Sequence, residues 1–269
     1  MCQLLAINSN VPTAATFSFT GFSARGGATD HHADGWGMAF HDGEAPRLFH
    51  DAGRACDAPL AEFLRQHPVR ARTVLAHVRK ATQGAVGLAN CHPFTREWRG
   101  RSWVFAHNGD LKGFRPPLDG SHLPLGQTDS EHAFCWLLQR LRQAFGGGQG
   151  PAPHWQALAP VLAELLPQVS RHGSFNMLLT DGHALYAHGS THLHWVARQH
   201  PFPRARLVDC DLELDLAGAN GPGDRMVVVA TQPLTSTEPW QPFQPGELQV
   251  FEAGRSVWRQ APPVLAAAA

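Results

Sequence analysis

The segment SWVFAHNGD, residues 102–110, contains an apolar run that is followed directly by polar residues. Its first six residues include aromatic and β-branched side chains, which is typical of a buried strand. Its last three residues lie where the strand ends, and strand ends are where a rigid scaffold presents functional side chains. The segment TVLAHVRKAT, residues 73–82, has the same arrangement. We therefore expect a sheet that carries polar site residues at its strand ends.

The remainder of the chain adds more strands and a few helices. Asp57 is a candidate cap for a short helix with Leu60, Phe63 and Leu64 on one face. The pattern Thr128-x-x-Glu131 resembles a capping box and predicts a second helix, and residues 155–169 predict a third, which Pro160 must kink or start. Strands are predicted at residues 3–8, 37–40, 47–50, 73–78, 102–107, 174–180, 184–188, 193–197, 225–231 and 247–252. Strands, then helices, then strands again indicate a layered α+β architecture.

The composition excludes several classes of protein. The 269 residues are 43% hydrophobic and 16% charged, with 22 Lys+Arg against 22 Asp+Glu, which is a globular composition with no net charge. No general electrostatic field attracts nucleic acid or anionic lipid. No apolar run approaches the roughly 20 residues that cross a bilayer, and residues 1–8 lack the basic start of a signal peptide. We therefore expect a cytoplasmic protein without a nucleic-acid or membrane partner.

The five cysteines do not form a recognisable framework. They are Cys2, Cys56, Cys91, Cys135 and Cys210, an odd number without a C-x-x-C pair, so neither disulfides nor a zinc cluster is indicated. Cys2 differs from the others because it follows the initiator methionine. Removal of Met1 would leave a free α-amine beside the thiol, and an amine with a pKa of about 7.7–8.0 can serve as the base for that nucleophile. Taken alone, Cys2 is better explained as an incidental residue at a disordered start than as a nucleophile.

Three polar residue types suggest a site for an α-amino acid. Arg79 offers a bidentate fork for a carboxylate, Asn108 and Gly109 offer two N–H donors for an oxyanion, and Asp129 offers a partner for an ammonium group. Each residue also has a purely structural interpretation. Arg79 fits a surface charge, Asn108-Gly109 a turn, and Asp129 a helix cap.

Two other classes of function have to be weighed. The 17 histidines suggest metal binding, and the candidate ligands are Asp30, His31, His32, Asp34, His77, His92 and His107. No H-E-x-x-H segment is present, and adjacent histidines suit few metal sites, so we expect no metal and no cofactor. The other class is a non-catalytic amino-acid-binding module. Cys2 argues against it, because binding does not need a thiol at the chain start.

Several motifs, taken together and in order, resemble one family. They are Met1-Cys2, HVRKAT (77–82), NCHPF (90–94), AHNGDL (106–111) and QTDSE (127–131). This order is similar to that of the class II glutamine amidotransferases, which are N-terminal-nucleophile hydrolases with a four-layer αββα sandwich. The segments TDHHADGWGMAF (29–40) and VVVATQPLT (227–235), the latter followed by Trp240, resemble the small stand-alone YafJ-like members. The resemblance covers nearly the whole chain and implies a single domain over residues 2–258 with a tail at 259–269.

The resemblance also implies roles for individual residues. Cys2 would be the nucleophile and its α-amine the base, and Asn108 and Gly109 would form the oxyanion hole. Arg79 would bind the substrate α-carboxylate with Thr82 beside it, and Asp129 would bind the α-ammonium. The pocket would be supported by His77, His92 and His107. Lys80 and Gln83 depart from the family, because sugar-phosphate amidotransferases tend to have Trp and His there. Arg25 is a weaker pocket candidate.

The activity implied is that of a glutaminase-type amidohydrolase that releases ammonia from glutamine. The substrate would be a small molecule, and the ammonia would pass to a separate synthase, because nothing after about Trp258 resembles a synthase domain. Hydrolysis of another γ-glutamyl compound is the alternative. None of the assigned residues would contact the leaving group. The segments 26–34 and 231–240 either line a pocket for the leaving group or form ordinary loop and core.

Overall fold

The fold consists of two antiparallel sheets with helices on their outer faces. The computed structural model describes residues 2–43, 45–147 and 149–260. In chain order the elements are β1 (Gln3–Ala14), α1 (Thr16–Ala24), β2 (Trp36–His41), β3 (Arg47–Asp51), α2 (Pro59–Gln66), β4 (Arg70–Val78), a 3₁₀ turn (Leu88–Asn90), β5 (Phe94–Trp98), β6 (Arg101–Leu111), α3 (Asp129–Ala144), α4 (Trp155–Ser170), β7 (Gly173–Thr180), β8 (Ala184–Gly189), β9 (His194–Gln199), β10 (Arg204–Arg206), β11 (Glu213–Asp215), α5 (Leu216–Ala219), β12 (Arg225–Ala230), β13 (Gln241–Pro242), β14 (Glu247–Glu252) and β15 (Arg255–Gln260).

The two large sheets have different strand orders. The first has seven strands in the order β13-β9-β12-β1-β4-β2-β3, and the second has six in the order β15-β14-β8-β7-β6-β5. Strands β10 and β11 form a separate two-stranded ribbon. Strand β1 lies in the middle of the first sheet, between β12 and β4, so the segment that carries Cys2 is held on both sides.

Side chains alternate between two cores along each central strand, as the period of a strand requires. On β1, Leu5 and Ile7 belong to the core that also holds Phe19 of α1, whereas Leu4 and Ala6 face the other sheet. The second sheet does the same, with a third core against α3 and α4. The layers are therefore helix, sheet, sheet and helix, which confirms the αββα architecture expected from the resemblance.

Local predictions had mixed outcomes. The hairpin of β2 and β3 is confirmed, and Thr128 caps α3 by accepting from the Glu131 nitrogen at 3.1 Å. The cap at Asp57 is wrong, because α2 begins after Ala58 without a side-chain cap. Phe63 of that helix is 48% exposed, so it lies outside the buried face. Pro160 lies inside α4.

Helix α1 was not predicted, and its composition explains why. Its sequence, TFSFTGFSA, contains Thr, Ser and Gly, which favour helices weakly. Five of its nine residues are buried and no apolar stripe distinguishes one face. At the other end of the chain, β15 continues to Gln260, and the remainder of the predicted tail, 261–269, lies outside the described residues.

The strand register places Cys2 and Arg79 at the same end of two paired strands. Gln3 of β1 lies opposite Val78 of β4, so Cys2 and Arg79 leave the first sheet together. Strand β6 of the second sheet packs against both β1 and β4. No helix in the described ranges is long and apolar enough to span a bilayer.

Candidate active site

Cys2 lies directly before β1 and contacts the end of β4. Its sulfur accepts a hydrogen bond from the Lys80 nitrogen at 3.3 Å and lies 3.3 Å from the Lys80 carbonyl oxygen. Burial raises the pKa of the Cys2 thiol above its ordinary value, although the hydrogen bond from Lys80 and the charge of Arg79 oppose this. The thiol therefore rests in its protonated form near neutral pH, and a nucleophilic role requires a base close to the sulfur.

The Cys2 side chain opens into a small cavity that the sequence motifs share. Its volume is about 20 Å³, enough for about one water molecule. It is lined by Cys2, Arg79, Lys80, Thr82, Gln83, His92, His107, Gly109, Thr128, Asp129 and Ser130. These residues come from the position before β1, the segment after β4, the segment before β5, strand β6 and the start of α3, so five separate parts of the sequence meet here.

Asn108 and Gly109 lie near the end of β6. The Asn108 side chain is completely buried, and its Nδ2 donates to the Thr231 hydroxyl at 3.2 Å. A Cβ atom at Gly109 would collide with the carbonyl oxygen of Ser174, so only glycine fits at this position of the sheet.

Arg79 reaches the cavity, but backbone carbonyls already occupy its terminal nitrogens. Nη2 donates to the carbonyls of Gln83 and Gly84 at 2.9 and 3.1 Å. Nη1 donates to Ala85 at 3.1 Å and more distantly to Asp34. The side chain is 2% exposed. Arg79 is therefore not the surface charge that its structural interpretation suggested, and it holds the chain segment that follows it in place.

Asp129 is the first residue of α3 and is 4% exposed. Its Oδ2 accepts from the Leu111 nitrogen at 2.7 Å, and its Oδ1 accepts from the Ser130 nitrogen at 2.9 Å. The helix N-terminus favours a negative charge here. Thr128 is the helix cap, so Asp129 is not the cap that its structural interpretation suggested, and its carboxylate lines the cavity.

The sequence of the chain matches a known protein family. The family model described as "Glutamine amidotransferases class-II" matches residues 1–269. The chain belongs to this family. The matched region includes the cavity residues Cys2, Arg79, Gly109 and Asp129.

Relatives and solved structures agree with this assignment. The chain is 44% identical over 257 residues to the YafJ protein of Escherichia coli (strain K12), itself named only provisionally as a glutamine amidotransferase, covering 96% of this chain and 100% of YafJ. A crystal structure titled as a predicted glutamine amidotransferase from Pseudomonas aeruginosa is 40% identical, with a TM-score of 0.74 over 96% of this chain and 100% of that one. The phosphoribosylpyrophosphate amidotransferase of Bacillus subtilis shares the fold, with a TM-score of 0.57 at 16% identity over 96% of this chain and 49% of that one.

Three histidines in the motifs of this amidotransferase lie together and uncharged. The rings of His77 and His92 are 4.2 Å apart. Burial lowers the pKa of His77 to about 3 and that of His92 well below its ordinary value. His107 also has a lowered pKa through burial, and its Nδ1 lies 2.8 Å from the Ser130 hydroxyl. His92 and His107 line the cavity, whereas His77 packs behind His92.

The segment 29–40, singled out by its likeness to stand-alone amidotransferases, supports the site from behind. The Asp34 carboxylate accepts from the Ala81 nitrogen at 2.8 Å, and the Asp34 nitrogen donates to the Arg79 carbonyl at 3.1 Å. Arg25 is bonded to Asp209 and to the carbonyls of Gln232 and Pro233. Neither Asp34 nor Arg25 lines the cavity.

Gln83 is a cavity residue to which the motifs assigned no contact. Its side-chain nitrogen donates to Asp110 Oδ1 at 2.7 Å, which joins the segment after β4 to the end of β6. In the sequence, Gln83 stands out only as a departure from sugar-phosphate amidotransferases. Its partner could not be found from sequence, because Gln83 lies in the loop after β4 of the first sheet and Asp110 lies in β6 of the second.

Metal ligands do not converge in the described ranges. Over residues 2–43, 45–147 and 149–260, no group of three or more His, Cys, Asp or Glu side chains is arranged to hold a metal ion. His31 is exposed, and the His32 ring lies 3.1 Å from the Asp30 carboxylate.

Proposed function

We propose that this protein is a glutaminase-type amidohydrolase in which Cys2 attacks the side-chain amide of glutamine or of a related γ-glutamyl amide. The observation that supports this most directly is the cavity that the Cys2 sulfur shares with Arg79, Gly109 and Asp129. A nucleophile, a cation, a backbone N–H and a carboxylate are the groups that a glutamyl substrate requires.

The proposed reaction begins after removal of Met1, when the α-amine of Cys2 can accept the thiol proton. The sulfur forms a bond to the amide carbon, and the negative charge on the carbonyl oxygen is stabilised by the Asn108 side chain and the Gly109 N–H. The carbon–nitrogen bond then breaks, and the nitrogen leaves as ammonia with the proton held by the α-amine. Water hydrolyses the thioester, which gives glutamate and restores Cys2.

The two ends of the glutamyl group would be held by opposite charges. Arg79 would bind the α-carboxylate and Asp129 the α-ammonium, with Thr82 beside them. Both Nη atoms of Arg79 donate to carbonyls of residues 34 and 83–85, so the substrate carboxylate would replace some of them. The cavity of about 20 Å³ is smaller than a glutamyl group, so residues 80–85 would have to move outward. The ammonia would serve a separate synthase.

Glutamate release tests the proposal, because glutamine and substituted γ-glutamyl amides both give this product. Protein whose first residue is Cys2 should hydrolyse L-glutamine or at least one member of a panel of γ-glutamyl amides, and Cys2→Ala should release no glutamate above background. Cys56→Ala is the matched control, because Cys56 is also partly exposed but lies outside the cavity. Retention of activity in Cys2→Ala would contradict the mechanism. Tight binding of glutamine without hydrolysis would favour a binding module.

A further inference from the structure

Thr231 lies at the junction of the two sheets, directly after β12, and is 3% exposed. Its backbone nitrogen donates to the Leu4 carbonyl at 3.1 Å, and its hydroxyl accepts from the Leu4 nitrogen at 2.8 Å. Both backbone polar groups of Leu4 are therefore bonded to Thr231. Because Leu4 is two residues after Cys2, Thr231 fixes the start of the strand that carries the nucleophile.

The same hydroxyl also contacts the oxyanion-hole candidate on the other sheet. Asn108 Nδ2 lies 3.2 Å from Thr231 Oγ1. The other end of that amide, Oδ1, is buried and has no hydrogen-bond partner within the described ranges. A buried amide oxygen without a partner is costly in a folded protein and calls for a physical explanation.

A half-turn of the Asn108 amide gives Oδ1 a partner and leaves Nδ2 as the end without one. The two ends of an amide have nearly the same shape, so rotation by about 180° exchanges them within the same space. In the rotated state the Thr231 hydroxyl donates to Oδ1, and Nδ2 occupies the position that lacked a partner. The hydrogen bond from the Leu4 nitrogen is compatible with this state, because it takes one lone pair of the hydroxyl and leaves the hydroxyl proton free to point at Asn108.

We propose that Thr231 is a positioning residue that sets the orientation of the Asn108 amide, so that Nδ2 is the end presented to the developing oxyanion. This inference rests on the proposed function, in which Asn108 is the oxyanion donor. It assigns a role within the segment 231–240, which had been left open between a leaving-group pocket and ordinary core. The hydroxyl is the essential group, since the methyl group of Thr231 can neither accept from Leu4 nor donate to Asn108.

Steady-state kinetics of three variants test the role. Thr231→Val keeps the shape but removes the hydroxyl, and it should lower kcat about tenfold with KM changed by less than twofold, since the oxyanion exists only near the transition state. Thr231→Ser should restore kcat to within about threefold. Thr180→Val is the matched control, because Thr180 is also buried and its hydroxyl bonds Ala184 and Gly182 near the opposite end of the β6–β7 pair.

A double-mutant comparison separates positioning from general damage. If Thr231 acts through Asn108, Thr231→Val should change kcat by less than twofold in an Asn108→Ala background. The proposal would be overturned if the two losses of kcat multiplied in the double variant. It would also be overturned if Thr231→Val changed KM alone, or if Thr180→Val lowered kcat equally.

A spectroscopic measurement keeps this inference distinct from the proposed function. The side-chain NH₂ signals of Asn108 in an NMR spectrum can be identified by their loss in Asn108→Ala. They should shift in Thr231→Val and keep their positions in Thr180→Val, whether or not any substrate is hydrolysed. Unmoved Asn108 signals in Thr231→Val would contradict the role of Thr231, whereas shifted signals in a protein without amidase activity would contradict the proposed function alone.

Discussion

The sulfur of Cys2 lies 3.3 Å from the backbone nitrogen of Lys80, the residue that follows Arg79 at the end of β4. This contact joins the start of β1 to residues 79–83, four of which line the cavity. It also places a hydrogen-bond donor on the sulfur, which favours the thiolate, although burial dominates and raises the thiol pKa. A base is therefore required, and in the proposed mechanism the only one assigned is the α-amine of Cys2.

The first prediction concerns Met1, which lies outside the described residues. An acylated nitrogen at Cys2 cannot accept a proton, so protein that retains Met1 should be at least about 100-fold less active than protein that begins at Cys2. Intact mass spectrometry gives the fraction processed, and activity should be proportional to that fraction across preparations. Equal specific activity in processed and unprocessed protein would rule out the α-amine as base.

The second prediction distinguishes Asn108 from Asp129. Asn108→Ala should lower kcat by about 10²–10³ with little change in KM, because it removes a donor to a charge that exists only near the transition state. Asp129→Asn should mainly raise KM, because its partner is the ground-state ammonium group. Both parameters come from initial rates of ammonia release. The reverse pattern would mean that the two residues have been assigned to the wrong ends of the substrate.

The third prediction concerns the substrate. Arg79 and Asp129 would fix the α-groups, so the distance from Cα to the reacting carbonyl is set by the protein. We expect hydrolysis of L-glutamine or another γ-glutamyl amide, no activity on D-glutamine, and weak activity on L-asparagine, whose shorter side chain would not reach Cys2. Asparagine turnover equal to that of every γ-glutamyl compound would contradict anchoring by the α-groups.

Much of the site could be predicted from sequence because its residues lie in ordered motifs at strand ends and at a helix start. Asn108 and Gly109 follow an apolar strand, and Asp129 follows the helix cap Thr128. What could not be predicted are contacts between distant elements. The bond between Thr231 and Asn108 depends on how the two sheets stack, and the four carbonyl contacts of Arg79 depend on how residues 83–85 fold back.

The fold shows the same division. The continuous apolar runs of β1 and β6 are visible in the sequence, because both faces of each strand are buried in a core. Helix α1 is not visible, because its buried face is formed by small and polar residues as well as Phe19 and Phe22. Tertiary packing, which sequence periodicity does not report, stabilises such a helix.

The fourth prediction is a loss of stability in mild acid. Burial lowers the pKa of His77 to about 3 and that of His188 to about 4, against an ordinary value of about 6.5. The unfolded chain binds protons below about pH 6.5 and the folded chain does not, so stability present above pH 6.5 is lost as the pH falls toward 4. At pH 5 each histidine lowers the free energy of unfolding by about 2 kcal/mol.

Urea unfolding at pH 7.5 and pH 5.0 measures this loss in the wild type and in His77→Phe. Both ring nitrogens of His77 are buried and the ring's polar interaction is with the His107 backbone, so phenylalanine removes the titrating group at the cost of that one interaction. The variant should lose about 2 kcal/mol less than the wild type between the two pH values. An identical pH dependence would show that His77 does not titrate on unfolding.

The fifth prediction separates the two roles that the structure allows for Arg79. Its guanidinium donates to the carbonyls of Gln83, Gly84 and Ala85, so Arg79→Ala should loosen this segment as well as raise KM, by about 30-fold or more. The rise in KM alone does not distinguish loss of carboxylate binding from loosening of residues 83–85. A substrate whose α-carboxylate is replaced by a neutral carboxamide distinguishes them, because it removes the other partner of the same ion pair.

If Arg79 binds the carboxylate, the wild type should have a higher KM for the carboxamide substrate than for the carboxylate substrate. Arg79→Ala should then have nearly the same KM for the carboxamide as the wild type has, since the ion pair is already broken in that substrate. If Arg79 only holds residues 83–85, the two changes should multiply. Gln83→Ala is the matched control, because it removes the bond to Asp110 and loosens the same segment without removing a positive charge. Its effect on KM should be the same for both substrates, whereas that of Arg79→Ala should be confined to the substrate that carries the carboxylate.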